Sequence, residues 1–193
     1  MSRPNHAIVI GASAGALEAL STILPALPEG YACPIIVVVH MPPQRDSLLV
    51  ELLQRKCALK VVEAHDKQVL EPGTVYIAPP DYHLLVEQQG SLSLSNEDPV
   101  RYSRPSIDVL FETAADAYGD ALTGIVLTGA NDDGARGLHA VCAAGGTALV
   151  QDAKTAYAQE MPRAAHEACP QAQVLALPAI GEFLKHEAAC YAK

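Results

Sequence analysis

Short apolar runs alternate along the chain with stretches in which apolar residues recur every three or four positions. "HAIVIGA" (6–12), "CPIIVVVH" (33–40), "LKVVEA" (59–64), "ALTGIVLTG" (121–129), "TALVQD" (147–152) and "AQVLAL" (172–177) read as strands. "CPIIVVVH" is a continuous, mostly β-branched run, as expected of a strand buried on both faces. Helical spacing fills most intervals: 15–25, "RDSLLVELLQRK" with a start at Asp46 or Ser47, and "RPSIDVLFETAADAYG" with Pro105 in its first turn and Ser103 or Ser106 at its cap. "DDGARGLHAVCAAGG", "MPRAAHEACP" and "AIGEFLKHEAACYA" supply three more. Between 66 and 96 the character changes. Turn residues recur every few positions through "PGTVYIAPPDYHLLVEQQGSLSLS", which predicts antiparallel strands or hairpins. Repeated strand–helix units imply an α/β fold: a three-layer, doubly wound, mainly parallel sheet with a small antiparallel hairpin insertion, forming one domain over 1–193.

Composition narrows the setting. Half of the 193 residues are hydrophobic, enough for one packed core, yet no run approaches the ~18 apolar residues of a membrane span. "MSRPNH" leads directly into four apolar residues, too few for a signal-peptide core, so a cytoplasmic protein with no direct membrane insertion is expected. The net charge of −9, without a basic stripe, argues against nucleic acid as partner. The five cysteines (Cys33, Cys57, Cys142, Cys169, Cys190) make no C-x-x-C pair and are expected to be free thiols.

In doubly wound sheets, sites form at the carboxyl ends of strands. The first strand ends at Gly11-Ala12-Ser13, the second at His40, and "GIVLTG" just before Ala130-Asn131-Asp132-Asp133. These are the parts of a nucleophile, a base and an orienting carboxylate. Gly11 permits a sharp turn, Gly15 lets the next helix pack close, and backbone N–H groups at that helix start can face an oxyanion. Taken singly, each residue has a plainer role: Ser13 in a packing turn, His40 as a structural histidine, Asp132 and Asp133 as a helix cap and first-turn acid. The conjunction at three strand ends favours catalysis. "GASAGA" lacks the G-x-G-x-x-G spacing, and the Gly-Lys-Ser/Thr ending of a P-loop is absent. The Ser, His, Asp order also differs from that of α/β-hydrolases. His65, His83, His139, His166 and His186 show no shared metal spacing and are read as structural or exposed.

Six ordered segments, "IGASAGALEAL", "VVVHMP", "GTVYIAPPDYHLLV", "RPSIDVLF", "LTGANDDGARGL" and "GGTALVQDAKTAYAQEMPRAA", resemble the catalytic domain of the chemotaxis protein-glutamate methylesterases, the CheB type. The resemblance covers nearly the whole chain. It implies Ser13 as nucleophile, His40 as base and Asp133 as the last triad member, with Asp132 the alternative. It implies hydrolysis of glutamate γ-methyl esters on the cytoplasmic domains of methyl-accepting chemoreceptors with release of methanol, deamidation of receptor glutamines in many members, and no metal or cofactor. With no Arg or Lys in the serine turn or in "TGAND", the oxyanion is expected to meet backbone N–H groups of Ala14 and Ala130. Met161-Pro162-Arg163 lies in a matching segment and is read either as approaching the cleft, with Met161 a substrate contact, or as a helix start. The Ser13 hydroxyl and an imidazole nitrogen are expected about 3 Å apart, or looser without substrate.

The chain departs from the family pattern. Ala14 replaces the usual threonine, "TGAN" replaces "TGMG", and Ser103 stands where some members have histidine. Asn131 tolerates left-handed φ, so the loop is expected to keep its course. Pro42 and Pro43 are expected to stiffen the segment after His40. This sequence starts at the catalytic domain, without the family's usual N-terminal receiver domain, and is expected to be either a stand-alone form or a fragment. Two other functions remain open: a serine hydrolase of the same fold with another ester or amide substrate, and a catalytically weak receptor-binding module.

Overall fold

A computed structural model of the chain describes residues 3–40 and 48–191, with side chains to 187. The strands are β1 (Ala7–Ala12), β2 (Ile35–Val39), β3 (Lys60–Glu63), β4 (Thr74–Ile77), β5 (His83–Val86), β6 (Leu92–Ser95), β7 (Leu122–Val126), β8 (Thr147–Gln151) and β9 (Gln173–Leu175). The helices are α1 (Ala16–Ile23), α2 (Leu48–Gln54), α3 (Ile107–Tyr118), α4 (Ala135–Ala143), α5 (Glu160–Ala168) and α6 (Leu177–Tyr191). The expected α2 start at Asp46 or Ser47, and Pro42 and Pro43, lie outside the described residues.

Seven strands form one parallel sheet in the order β3-β4-β2-β1-β7-β8-β9. β1 is central and every one of its residues is buried, which is why it reads as an unbroken apolar run. Alternate side chains serve opposite faces. Ala7 and Val9 join a core with Phe111 of α3, Leu138 of α4 and Met161 of α5. Ile8 and Ile10 join the opposite core with Leu20 of α1, Leu53 of α2 and Leu184 of α6. The chain adds strands to one side of β1 first and to the other side later. β2, β1 and β7 are therefore neighbours at the point where the winding reverses, the place such sheets reserve for ligands.

The hairpin prediction holds for part of its span. β5 and β6 pair antiparallel, and Leu84, Val86 and Leu92 pack into the same core as α3. "TVYI", expected among those hairpins, is instead β4, parallel and inserted between β2 and β3 in the main sheet. Its short alternating pattern does not distinguish a hairpin strand from an inner parallel strand; its burial on both faces does.

The cysteine expectation is also corrected. Cys142 near the end of α4 and Cys169 just past α5 form a disulfide across 27 residues. Packing of α4 beside α5 brings their Cα atoms to 6.7 Å, within bridging range, and no local spacing announces it. Cys33 and Cys57 are free, and burial pushes the Cys33 thiol up to about 12. Among the described residues no helix is long and apolar enough to cross a membrane.

Candidate active site

The turn after β1 is tied down on both sides. Ser13 N–H donates to the Thr128 carbonyl at 2.9 Å, and the Thr128 hydroxyl donates to the Ala14 carbonyl at 2.7 Å. Gly15 then enters α1 with φ +86°, a conformation that side chains resist. Gly11 has a different role. A Cβ there would stand 2.3 Å from Ile107 Cγ2, so its bare backbone lets the first residue of α3 approach β1. Gly15 permits close packing as expected, since a Cβ there would stand 2.7 Å from Tyr157 Cβ, but it also makes the turn, while Gly11 serves packing alone.

His40 follows β2, and its N–H donates to the Ala12 carbonyl at 3.1 Å, which places the imidazole beside the serine turn. Ser13 and His40 line one cavity of about 680 Å³, together with Ala16, Leu17, Val39 and Tyr157. Imidazole Nε2 lies 2.8 Å from Asp133 Oδ2. The nitrogen left for a serine proton is therefore Nδ1. In the familiar serine-protease arrangement the two nitrogens have the opposite roles. Among the described residues no hydrogen bond joins the Ser13 hydroxyl to His40, which leaves the looser of the two expected arrangements; Nδ1 lies 3.4 Å from Asn131 Nδ2.

Asp133 is completely buried and lies across the start of α3. Oδ2 accepts from Ile107 N–H at 2.7 Å, and Oδ1 accepts from Asp108 N–H at 3.0 Å and from the Ser106 hydroxyl at 2.9 Å. Burial alone would push this carboxyl up. The His40 hydrogen bond, the two backbone donors and attraction to His40 outweigh burial and hold it below the usual carboxylate range. The positive end of α3 works in the same direction.

The support is reciprocal. Asp108, inside α3, accepts from Gly134 and Gly137 N–H at 3.0 and 2.8 Å, at the start of α4. Each helix is capped by an acid that belongs to the other's segment. Ser106 sits at the cap position of α3 but makes no side-chain cap to its own helix, and bonds Asp133 instead. His83 is structural: it is buried, accepts from Ser106 N–H through Nδ1, and bonds the Asp98 carbonyl through Nε2. Burial raises the Asp108 carboxyl, and its Oδ2 has no hydrogen-bond partner among the described residues. Arg101 and Arg136 stand at 3.9 and 3.8 Å from that oxygen. Neither Asp108 nor Arg101 was singled out from sequence. A buried acid in a helix's first turn carries no sequence mark of burial, and Arg101 is distant along the chain.

Asp132 goes elsewhere. Its side chain is half exposed and ion-paired with Arg101, which lowers its carboxyl. Its side chain makes no cap bond to α4, which leaves it the loop position. Asn131 is not among the residues with positive φ, which besides glycines are Lys67, Asp81, Arg101 and Tyr102 among those described. The left-handed conformation that asparagine tolerates is thus not adopted at Asn131.

The three remaining candidates separate. Ala14 N–H has no acceptor among the described residues and adjoins Ser13 in the turn. Ala130 N–H is also unpaired there, but Ala130 lines a second cavity of about 730 Å³ with Asn131, Asp132 and Gln159. Met161 is fully buried and packs under Gly129, whose missing Cβ leaves the room: a Cβ there would stand 2.5 Å from the Met161 sulfur. Its N–H holds the Gly129 carbonyl at 3.0 Å. Of its two expected roles the structure shows the helix start: Met161 stands in the first turn of α5 and, with no exposed surface, supports the loop from beneath.

Comparison with known proteins identifies the family and the fold. The model of the CheB methylesterase family matches residues 8–184. A Leptospira interrogans protein, named provisionally as a protein-glutamate methylesterase/protein-glutamine glutaminase, is 48% identical over 178 residues, 92% of each chain. The protein-glutamate methylesterase/protein-glutamine glutaminase of Symbiobacterium thermophilum is 35% identical over 94% of this chain, which spans 50% of that protein. The crystal structure of the Thermotoga maritima CheB methylesterase catalytic domain superposes with a TM-score of 0.90 at 35% identity, covering 94% of this chain and 98% of that one.

Proposed function

The chain belongs to the CheB methylesterase family, and on that premise we propose that it is a serine hydrolase of glutamate γ-methyl esters on the cytoplasmic domains of methyl-accepting chemoreceptors, formed as one catalytic domain. The same machinery deamidates receptor glutamines, as the two-part names of its relatives suggest. The observation that carries the reading is the 2.8 Å contact between His40 Nε2 and the buried Asp133, beside Ser13 on adjacent strand ends.

In this reading Ser13 Oγ attacks the γ-carbonyl while its proton passes to His40 Nδ1. Asp133 keeps the other proton on Nε2 and offsets the imidazolium charge. The tetrahedral oxyanion is met by backbone N–H groups, of which Ala14 and Ala130 are the candidates, and the start of α1 adds a favourable field. As the intermediate collapses, the C–O bond to methoxide breaks, His40 returns its proton, and methanol leaves a γ-glutamyl ester on Ser13. Water then attacks, giving its proton to His40, and breakdown restores the serine and releases the glutamate. With glutamine the first leaving group is ammonia.

The test is methanol release from methylated receptor, with fluorophosphonate labelling beside it. Labelling at Ser13 that is abolished by Ser13→Ala supports the hydrolase. Methanol release from receptor distinguishes it from a hydrolase of the same fold with another substrate. A folded protein that neither labels nor releases methanol leaves only the binding-module alternative.

A further inference from the structure

The amide of Asn131, in the loop after β7, is held in one orientation. Its Oδ1 accepts from Asp133 N–H at 3.2 Å, an Asx turn. That bond commits the oxygen and turns Nδ2 toward His40 Nδ1 at 3.4 Å. On the far side of the ring, Nε2 faces the Asp133 carboxylate at 2.8 Å. A carboxylate can only accept and an amide NH₂ can only donate. On a neutral ring the two neighbours together favour the Nε2–H tautomer with its lone pair on Nδ1, and Asn131 occupies that lone pair.

We propose that Asn131 is a latch on the base: in the free protein it holds the lone pair that must receive the Ser13 proton, and acylation requires it to let go. The proposal rests on the reading of His40 as base and Ser13 as nucleophile. Two nitrogen or oxygen donors compete for one acceptor. While Asn131 donates to Nδ1, the Ser13 hydroxyl cannot, and among the described residues no hydrogen bond joins the two. Once Nδ1 has taken the proton it becomes a donor itself and confronts the amide NH₂. Asn131 must then withdraw, or turn its oxygen over and strip Asp133 N–H of its acceptor. The latch thus prepares the correct tautomer at rest and opposes the imidazolium in the transition state. It is a positioning residue, acting only through His40. Glycine in its place has no side chain with which to compete.

The experiment compares wild type, Asn131→Ser and Asn131→Ala. Serine retains a hydroxyl that can accept from Asp133 N–H but is too short to reach His40; alanine removes both contacts. The probe is an alkyl fluorophosphonate, whose reaction rate reports Ser13 activation without any receptor contact. Release of one modest hydrogen bond corresponds to a labelling rate about three- to tenfold faster in both variants. In parallel, ¹⁵N spectra of the histidine ring should show the His40 Nδ1 resonance moving toward that of an unbonded imidazole nitrogen while the proton stays on Nε2. A general loosening of the loop would not produce that pattern, and melting curves confirm that the variants are folded. Labelling of the variants alone, with the wild type inert, would be the strongest support. Unchanged or slower labelling in both folded variants overturns the latch, as does an unmoved Nδ1 resonance. If the wild type labels at Ser13 and Ser13→Ala does not, the hydrolase reading survives that failure. If no protein labels, hydrolase and latch fall together.

Discussion

Asp133→Asn is the sharpest test of the site, because each oxygen of this carboxylate is committed. Oδ1 takes Asp108 N–H and the Ser106 hydroxyl, and Oδ2 takes Ile107 N–H and His40 Nε2. Asparagine must put an NH₂ group at one of the two positions. At the Oδ1 position it can donate to the Ser106 hydroxyl but faces Asp108 N–H, donor against donor. At the Oδ2 position it faces Ile107 N–H and donates to Nε2, which pushes the histidine proton onto Nδ1 and removes the base. Either way a buried backbone donor goes unpaired, at a cost of about 1–3 kcal/mol. For a chain of this size that is a melting-temperature loss of about 2–12 °C. Turnover should fall by on the order of 10⁴, the figure for an equivalent change in another serine triad. Asp132→Asn breaks only an exposed ion pair with Arg101, worth ~0–1 kcal/mol, and should change turnover by no more than about fivefold. Methyl-ester turnover and thermal melts of the two variants decide the matter. Greater damage to turnover from Asp132→Asn, or an Asp133→Asn enzyme with near-normal turnover, would refute the assignment of Asp133.

The depressed Asp133 carboxyl makes a pH prediction: its contribution to stability is complete above the ordinary carboxylate value of 3.8 and is lost as pH falls through the lower folded value, so in urea melts the advantage of wild type over Asp133→Asn should shrink below about pH 4. Gly11→Ala puts a methyl 2.3 Å from Ile107 Cγ2 and should cost about 1–3 kcal/mol, with Gly11→Ala/Ile107→Ala losing less than the two single changes summed; strict additivity in melting experiments would mean that the contact does not govern the position of α3. Ala14→Thr and Ala130→Met keep their backbone donors and should alter turnover within about tenfold, whereas proline at either place deletes the donor and should cost about 10²–10³. A well-folded Ala130→Pro enzyme with near-normal turnover would remove Ala130 from the oxyanion site, which its place on the second cavity makes a live outcome.

Periodicity alone carried much of the fold. Continuous β-branched runs such as "IIVVV" are legible because a strand buried on both faces has no polar side to disguise it, and strand–helix alternation implies parallel order. The same logic made Ser13 and His40 candidates, and the structure puts both on one cavity at adjacent strand ends. What periodicity could not decide was anything set by contact between distant segments. "TVYI" reads like its hairpin neighbours and becomes an inner strand only when β2 and β3 close on it. Cys142 and Cys169 pair because two helices pack, Met161 is withdrawn from the cleft because Gly129 leaves room for it, and Asp132 points to an arginine from another loop. The choice between Asp132 and Asp133 is of the same kind. Adjacent residues in a loop direct their side chains apart, and only one can reach both the buried start of α3 and the ring of His40. Sequence could place an acid at the strand end, but the meeting of β2, α3 and α4 decided which acid is buried there and which ring nitrogen it holds.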